Sequence, residues 1–243
     1  MNGNAEKATD RERMSALQKM EQMVNYVPVE SIKEHLEVTR QGTIKGTMQN
    51  YIIVLKEDPL LEGSLRYNLL NQRIDIVKAL WWNDEICSLT DAGRDFFYLY
   101  FEKYYDLGNE KNMDKALRTV ATSNQYHPIC EYLNKLKWDG TERIRYVLKR
   151  YMGAEDSDMV YECLKHFMME ALLRIFKPGY KADEMLCLVG TQGAGKSTFF
   201  RFLSLKDEWF SDDLRNLGDS KIYEKLRGHW IIEMSEMIAA ISS

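Results

Sequence analysis

A glycine-rich turn near residue 190 has the residue types and the spacing of a phosphate-binding loop. Gly190, Gly195, Lys196 and Ser197 fill the fixed positions of the pattern G-x-x-x-x-G-K-[ST]. Glycines let consecutive backbone N–H groups turn inward around a phosphate, and a helix that begins directly after them favours an anion at its N-terminus. The pattern therefore predicts a Walker A loop that binds a nucleoside triphosphate.

The side chains of this loop have separate predicted roles. Lys196 would reach the β and γ phosphates as a point charge, and Ser197 would hold Mg²⁺ through its hydroxyl. Lys196 is also predicted to be catalytic, because its charge would stabilise the γ-phosphate during in-line attack by water. ATP and Mg²⁺ are thus the predicted cofactors. The residues predicted to contact the nucleotide are Gly190, Thr191, Gln192, Gly193, Ala194, Gly195, Lys196, Ser197 and Thr198.

Two glutamates that follow a later apolar run complete the predicted site. Residues 229–232 read as a strand, and Glu233 and Glu236 come directly after it. Ligands of parallel α/β sheets lie at the carboxyl ends of the strands. We predict that Glu233 holds Mg²⁺ together with Ser197, and that the catalytic Glu236 orients the attacking water. The alternative for Glu236 is an acid in the first turn of a helix, where the dipole favours it.

The segments around the loop predict the elements that position it. Residues 185–189 form a continuous apolar run, which is typical of a strand covered on both faces, and residues 199–203 have helical apolar spacing. A short strand at 209–211 and a helix at 220–227 would follow. The prediction is the first, incomplete part of a P-loop NTPase parallel sheet at 181–243. The alternative is a glycine turn without a ligand.

Residues 126–180 are predicted to form a helical linker or collar. Pro128 would begin a helix that continues to Leu136, and Asp139 would cap another with Glu142 three places on. Ser157 would begin a longer helix that ends at Pro178.

A basic stretch in this linker is the candidate DNA contact. Six basic residues stand against two acidic ones between 135 and 150, with tyrosines interleaved. Such a patch can contact phosphates, but a solvated helix face is the commoner structure for a run of charges and is the favoured alternative. The candidate residues are Lys135, Lys137, Arg143, Arg145, Lys149 and Arg150.

The N-terminal half predicts a small, mainly helical α+β module at 13–125, preceded by a polar, disordered tail at 1–12. A helix from Met14, a second one capped by Ser31, and a helix at 47–56 would precede a β-hairpin. The hairpin would pair 65–70 with 73–77. Thr90 would cap a long helix, and a further helix at 114–123 would follow it. This order suits a winged-helix-like module. Trp81, Trp82 and the nearby tyrosines could stack on bases, but core packing is the favoured alternative.

Composition limits the remaining possibilities. The chain has 243 residues, of which 45% are hydrophobic, and a formal net charge of −4. That charge exerts no global attraction on nucleic acid. The four cysteines of the chain form no metal-binding pattern. No apolar run is long enough to predict a membrane span. The scattered cysteines argue for a reducing cytosol.

Seven short motifs lie in the second half of the chain. They are YHP at 126–128, LKWDG at 136–140 with Arg143 after it, YMGAED at 151–156, FKPG at 176–179, GTQGAGKST at 190–198, WFSD at 209–212 and WIIEMSE at 230–236. Together they give the region from about 120 to 243 a close resemblance to the virulence-associated protein E family, which is a family of predicted P-loop ATPases of phages, prophages and mobile islands. The hairpin near Tyr67 and Asn68 matches the family more loosely. The resemblance implies a location in the cytoplasm of a bacterial host cell.

The resemblance implies a superfamily 3-like or AAA+-like ATPase that acts in DNA replication as a helicase, works as a homo-oligomeric ring, and has a primase as a possible partner. Glu233 stands where many ATPases of this class have Asp. No further strand with a sensor residue and no arginine finger follows Glu236, so the expectation is a C-terminally truncated form that binds ATP without hydrolysing it efficiently. Two alternatives stay open: a non-helicase P-loop kinase, and a DNA-binding or assembly module with a vestigial nucleotide site.

Overall fold

A computed structural model describes residues 15–214 and 226–234. The tail predicted at 1–12, most of the helix predicted at 220–227, and Glu236 lie outside these residues. The contacts divide the chain into two units, Met1–Tyr126 and His127–Ser243. Each unit mixes helices with a small sheet, so the coarse α/β prediction is confirmed.

Five helices are described in the first unit. Thr90 accepts a hydrogen bond from the Gly93 N–H at the start of the fourth helix, as predicted. Thr47, predicted as the first residue of the third helix, is its N-cap and accepts a hydrogen bond from the Asn50 N–H. Ser31 does not cap the second helix, because that helix begins two residues earlier, after Pro28. The helices are α1 at 15–24, α2 at Val29–Lys33, α3 at Met48–Glu57, α4 at Asp91–Tyr105 and α5 at Glu110–Ser123.

The first unit also contains a four-stranded sheet. Its strands are β1 at Leu65–Asn68, β2 at Arg73–Ile76, β3 at Cys87–Ser88 and β4 at Gln125–Tyr126. Strand β1 pairs antiparallel with β2 and places Leu65 opposite Ile76, which confirms the predicted hairpin. The strand order is β3-β2-β1-β4, and β4 runs parallel to β1. The winged-helix arrangement stays a prediction.

Aromatic side chains form much of the core of the first unit. Trp81, Tyr100 and Tyr105 are each at most 1% exposed, and the Trp81 ring stacks on Tyr100 with centroids 4.6 Å apart. Core packing, the favoured alternative to base stacking, is therefore confirmed for these three residues.

A buried carboxylate organises the polar atoms of this core. Asp58 Oδ2 accepts hydrogen bonds from the hydroxyls of Tyr100 at 2.6 Å and Tyr105 at 2.7 Å, and Oδ1 accepts one from the Leu60 N–H at 2.8 Å. Burial, reinforced by the Asp58 charge, raises the pKa of both tyrosines well above the ordinary range. Both phenols therefore stay neutral, and each remains available as a donor to Asp58.

The second unit has four described helices and two short strands. Ser157 caps the longest helix as predicted. The elements are α6 at Pro128–Leu133, α7 at Ile144–Met152, α8 at Asp158–Phe176, α9 at Lys196–Leu203, β5 at Phe210–Ser211 and β6 at Ile231–Ile232. Strands β5 and β6 pair in parallel and place Ser211 opposite Ile232.

Two boundaries differ from the prediction for the linker. Helix α6 ends at Leu133 rather than continuing to Leu136. Asp139 does not cap α7, which begins at Ile144. Its carboxylate instead forms two hydrogen bonds with the Arg143 guanidinium and accepts one from the Thr141 N–H at 3.0 Å. Both carboxylate oxygens of Asp139 are engaged by the Arg143 guanidinium in a bidentate, charge-assisted pair, which competes with a capping role.

The predicted strand at 185–189 is not present as a strand. Leu186 and Leu188 are half-buried and pack against an apolar cluster that contains Leu148 and Phe199, whereas Val189 is 97% exposed. Alternate residues of this run, Leu186 and Leu188, face the protein interior, whereas Val189 faces solvent. The run therefore lies on the edge of the unit, without a neighbouring strand among the described residues.

His127 is the N-cap of α6, and its Nδ1 accepts a hydrogen bond from the Cys130 N–H at 3.4 Å. Burial lowers the pKa of His127. Because the folded state favours the neutral imidazole, this contribution to stability is present above about pH 6.5 and is lost as the pH falls through the lower, folded-state value. We expect the melting temperature to fall between about pH 6.5 and pH 5 in the wild type.

His127→Asn is the matched variant, because asparagine caps a helix but does not titrate. Differential scanning calorimetry at several pH values should show a flatter profile for this variant than for the wild type. Parallel profiles would contradict the role of His127.

No helix among residues 15–214 and 226–234 has the length and apolarity needed to cross a bilayer.

Candidate functional site

The glycine-rich loop adopts a backbone that only glycine accommodates well. Gly193 and Gly195 have φ angles of 81° and 77°, and Gly195 is the N-cap of α9. A Cβ added at Gly190, Gly193 or Gly195 would meet no protein atom within 4 Å. The loop therefore presents open space at all three glycines, directly before the N-terminus of an eight-residue helix. Backbone N–H groups at such a terminus attract anions.

Lys196 folds back over the loop that precedes it. Its Nζ donates hydrogen bonds to the carbonyl oxygens of Gly190 at 3.0 Å and Thr191 at 2.8 Å. The ammonium group is thus held against the loop by two main-chain acceptors. This geometry places a positive charge beside the glycines.

Ser197 and Glu233 are 36 residues apart in sequence and adjacent in space. The Ser197 hydroxyl donates a hydrogen bond of 2.7 Å to Glu233 Oε1. The second carboxylate oxygen, Oε2, is buried and has no hydrogen-bond partner among the described residues. A buried carboxylate oxygen is costly without a partner. The pair is therefore a hydroxyl and a carboxylate with capacity for a further ligand.

The parallel strand pair positions Glu233. The Glu233 N–H donates to the Ser211 carbonyl at 2.8 Å and continues the ladder past β6, so Glu233 lies at the carboxyl end of that strand. Helix α9 packs against β6 and carries Ser197 at its second residue. A helix and a strand end thus bring the two side chains together.

Helix α8 holds the start of β6 through residues that the sequence analysis did not single out. The Trp230 indole N–H donates to the Ala171 carbonyl at 2.8 Å, and the Arg174 guanidinium donates to the carbonyls of His229 and Trp230 at 3.4 Å. Ala171 and Arg174 are three residues apart, so they share a helix face. One signal in the sequence could have predicted this contact. Trp230 stands at the start of a strand, and a buried indole N–H needs a hydrogen-bond acceptor.

The other predicted nucleotide contacts are in the same loop. Thr191, Gln192, Ala194 and Thr198 are exposed around the glycines. The predicted catalytic residue Glu236 lies outside the described residues. Among the described residues there is no cluster of three or more His, Cys, Asp or Glu that could hold a metal ion by itself. Any metal bound by Ser197 and Glu233 would need oxygen ligands from elsewhere.

The structure divides the six candidate DNA contacts into two sets. Three are neutralised by carboxylates: Arg143 pairs with Asp139, Arg145 with Asp158, and Lys149 with Asp156. The pairing with Arg143 strongly lowers the pKa of Asp139, and the pairing with Lys149 lowers that of Asp156. Lys135, Lys137 and Arg150 have no such carboxylate partner among the described residues, and the Arg150 guanidinium lies 5.5 Å from the centre of the Tyr151 ring.

Together, these features define a mixed α/β protein whose second unit holds a glycine-rich loop, a helix after it, and a carboxylate at the end of a parallel strand. Residues 133–243 match the family model described as the virulence-associated protein E-like domain. The match supports the resemblance to the virulence-associated protein E family over these residues. A search of curated proteins finds no match to the chain.

Proposed function

We propose that residues 190–198 bind Mg-ATP and that this site is the nucleotide-binding part of a phage or mobile-element replication helicase. The observation that carries the proposal is the 2.7 Å hydrogen bond between the Ser197 hydroxyl and Glu233. A P-loop enzyme uses such a hydroxyl, together with an acid at a strand end, around the magnesium ion that accompanies the phosphates. A chance glycine turn would have no reason to face a carboxylate from a distant strand.

The loop supplies the phosphate-binding half of the proposed site. Three glycines with open space beside them let phosphate oxygens approach the backbone N–H groups, and the N-terminus of α9 adds its dipole. Lys196 would exchange its two bonds to the loop carbonyls for bonds to phosphate oxygens. With phosphate, both partners are charged, so these bonds are stronger than bonds from the same ammonium to neutral carbonyls.

Ser197 and Glu233 supply the magnesium-binding half. Mg²⁺ takes oxygen ligands and keeps several of its waters, so one hydroxyl, one carboxylate and the phosphates form a suitable set. Glu233 Oε2 supports this fit, because it is buried and has no hydrogen-bond partner in the part of the chain that the structure describes. A bound magnesium ion would neutralise charge on the β and γ phosphates. Glu236 keeps its proposed role of orienting the attacking water.

Coupling to DNA is the wider part of the proposal. It rests on the family match over residues 133–243 and on the seven motifs that carry the resemblance. A replication helicase of this kind would work as a homo-oligomeric ring on DNA, beside a primase.

The test is calorimetric titration of the whole chain with ATP, once with Mg²⁺ and once with EDTA. We expect the wild type to bind ATP about tenfold more tightly with Mg²⁺, because the ion links the phosphates to Ser197 and Glu233. Ser197→Ala and Glu233→Gln should remove most of this difference and retain the weaker, metal-independent binding.

The matched control is Glu162→Gln, which neutralises an exposed acid of α8 that pairs with Lys165. This variant should show the same magnesium dependence as the wild type. If wild-type protein released no heat with Mg-ATP, or if Glu233→Gln kept the full magnesium effect, the proposed site would be wrong.

A further inference from the structure

Residues 134–143 form a continuous exposed segment between α6 and α7. Two large apolar side chains lie in it: Leu136 is 56% exposed and Trp138 is 80% exposed. Trp81, Trp209 and Trp230, by contrast, are each at most 3% exposed. Tryptophan is seldom so accessible in a folded unit. The Trp138 ring therefore contributes little to the core and has most of its faces open to a ligand.

The turn that carries Trp138 is braced rather than loose. Asp139 forms two hydrogen bonds with the Arg143 side chain and accepts a third from the Thr141 N–H, and Gly140 follows with a φ of 83°. These bonds link the turn to the residue before α7. A ring on a braced turn loses less conformational freedom on binding than a ring on a flexible chain.

Uncompensated positive charge flanks the ring. Lys135 and Lys137 are exposed, and neither forms an ion pair with a described residue. The nearest acid along the chain, Asp139, is neutralised by Arg143. Between 135 and 143, three basic residues stand against two acids, Asp139 and Glu142, so the segment around Trp138 has a net charge of +1 although the chain as a whole is acidic. Protein-docking surfaces are usually depleted in lysine, whereas nucleic-acid surfaces use it for phosphates.

Helix α7 carries further aromatic and basic side chains beyond the turn. Tyr146 and Tyr151 are 51% and 66% exposed, and the Arg150 guanidinium lies over the Tyr151 ring. Tyr146 and Arg150 are four residues apart and so share a face of the helix. The combination of open rings and cations on neighbouring elements is the one that stacks bases and contacts phosphates.

We propose that Lys135, Lys137 and Trp138 bind single-stranded nucleic acid, with a base stacked on Trp138 and the flanking phosphates contacted by the two lysines. A duplex is disfavoured, because its bases are already stacked on each other and expose only their edges. This inference goes beyond the proposed function, since it assigns a strand-binding surface that needs no bound nucleotide. It also reassigns the basic patch, because Arg143, Arg145 and Lys149 brace the unit instead of contacting phosphate.

The experiment is fluorescence anisotropy of a labelled oligothymidine, titrated with the whole chain without ATP at several salt concentrations. Trp138→Ala should weaken binding about tenfold, because one stacked base is lost, whereas Trp138→Phe should retain most of the affinity. K135A/K137A should lower the slope of log affinity against log salt by about 1.4, roughly 0.7 for each phosphate contact with a single strand. An oligouridine of the same length should bind similarly.

Matched controls separate the surface from general effects. Tyr26 is 89% exposed in the first unit, and Lys111 and Lys115 are exposed on α5, so Tyr26→Ala and K111A/K115A should bind as the wild type does. The proposal is overturned if the oligothymidine does not bind at low salt, or if Trp138→Ala binds it unchanged. It is equally overturned if Trp138→Ala alters only self-association. Loss of ATP binding alone would leave these results unchanged, so the two proposals can fail separately.

Discussion

Lys196→Ala is expected to weaken Mg-ATP binding by at least about 100-fold, equivalent to roughly 3 kcal/mol. The ammonium group is held at the glycine-rich loop by the carbonyls of Gly190 and Thr191. In the proposed site, it is the cation that the loop itself would supply for the β and γ phosphates. Its removal takes away charge-assisted bonds to the ligand and two bonds that order the free loop. Titration calorimetry of the folded variant measures the loss.

A second variant separates charge from loop order. Lys196→Gln retains an N–H donor for the loop carbonyls but no charge, so it should bind Mg-ATP nearly as weakly as Lys196→Ala. Lys181 is the control, because it precedes the loop and forms an exposed ion pair with Asp183. Lys181→Ala should bind as the wild type does. Wild-type affinity in Lys196→Gln would mean that loop order, rather than charge, accounts for binding.

Asp58→Ala is expected to lower the free energy of unfolding of the first unit by about 3–5 kcal/mol. Asp58 is fully buried and accepts hydrogen bonds from two buried tyrosine hydroxyls and from the Leu60 N–H. The substitution leaves Tyr100 and Tyr105 with unsatisfied hydroxyls and opens a small cavity beside them. Urea unfolding of the whole chain, followed by tryptophan fluorescence, measures this change.

A double-mutant cycle tests the cause. Tyr105→Phe alone removes one donor and should cost about 1 kcal/mol, whereas in the Asp58→Ala background it should be neutral or stabilising, because it deletes an unsatisfied hydroxyl. Asp84→Ala is the control, since the Asp84 side chain is 76% exposed. It should change stability by less than about 0.5 kcal/mol. A loss below 1 kcal/mol in Asp58→Ala would contradict the role of the carboxylate.

Local signals predicted several elements correctly because the energies involved are local. Thr90 and Ser157 cap their helices through bonds that span three residues, and the hairpin follows from two alternating runs joined by a short turn. Asp139 failed as a cap for an equally local reason. A side-chain partner four residues on, Arg143, competes for its carboxylate.

The predicted strand at 185–189 could not be judged from apolarity alone. A strand requires partners for its backbone N–H and C=O groups, and these come from segments distant in sequence. Among the described residues, only Leu186 and Leu188 of this run pack against the interior. The exposure of Trp138 was similarly inaccessible to the sequence. A tryptophan in a turn has the same local pattern whether its ring is covered or open.

The sequence by itself determined the chemistry that the loop can offer: glycines for a phosphate-sized turn, a lysine, a hydroxyl, and an acid after a later strand. The sequence analysis paired Glu233 with Ser197, but only the tertiary structure decided that the two side chains are in direct contact. That contact depends on the parallel pairing of β5 with β6 and on the packing of α9 against β6. Residue types are local properties of the chain. Proximity across 36 residues depends on the folding of everything between them.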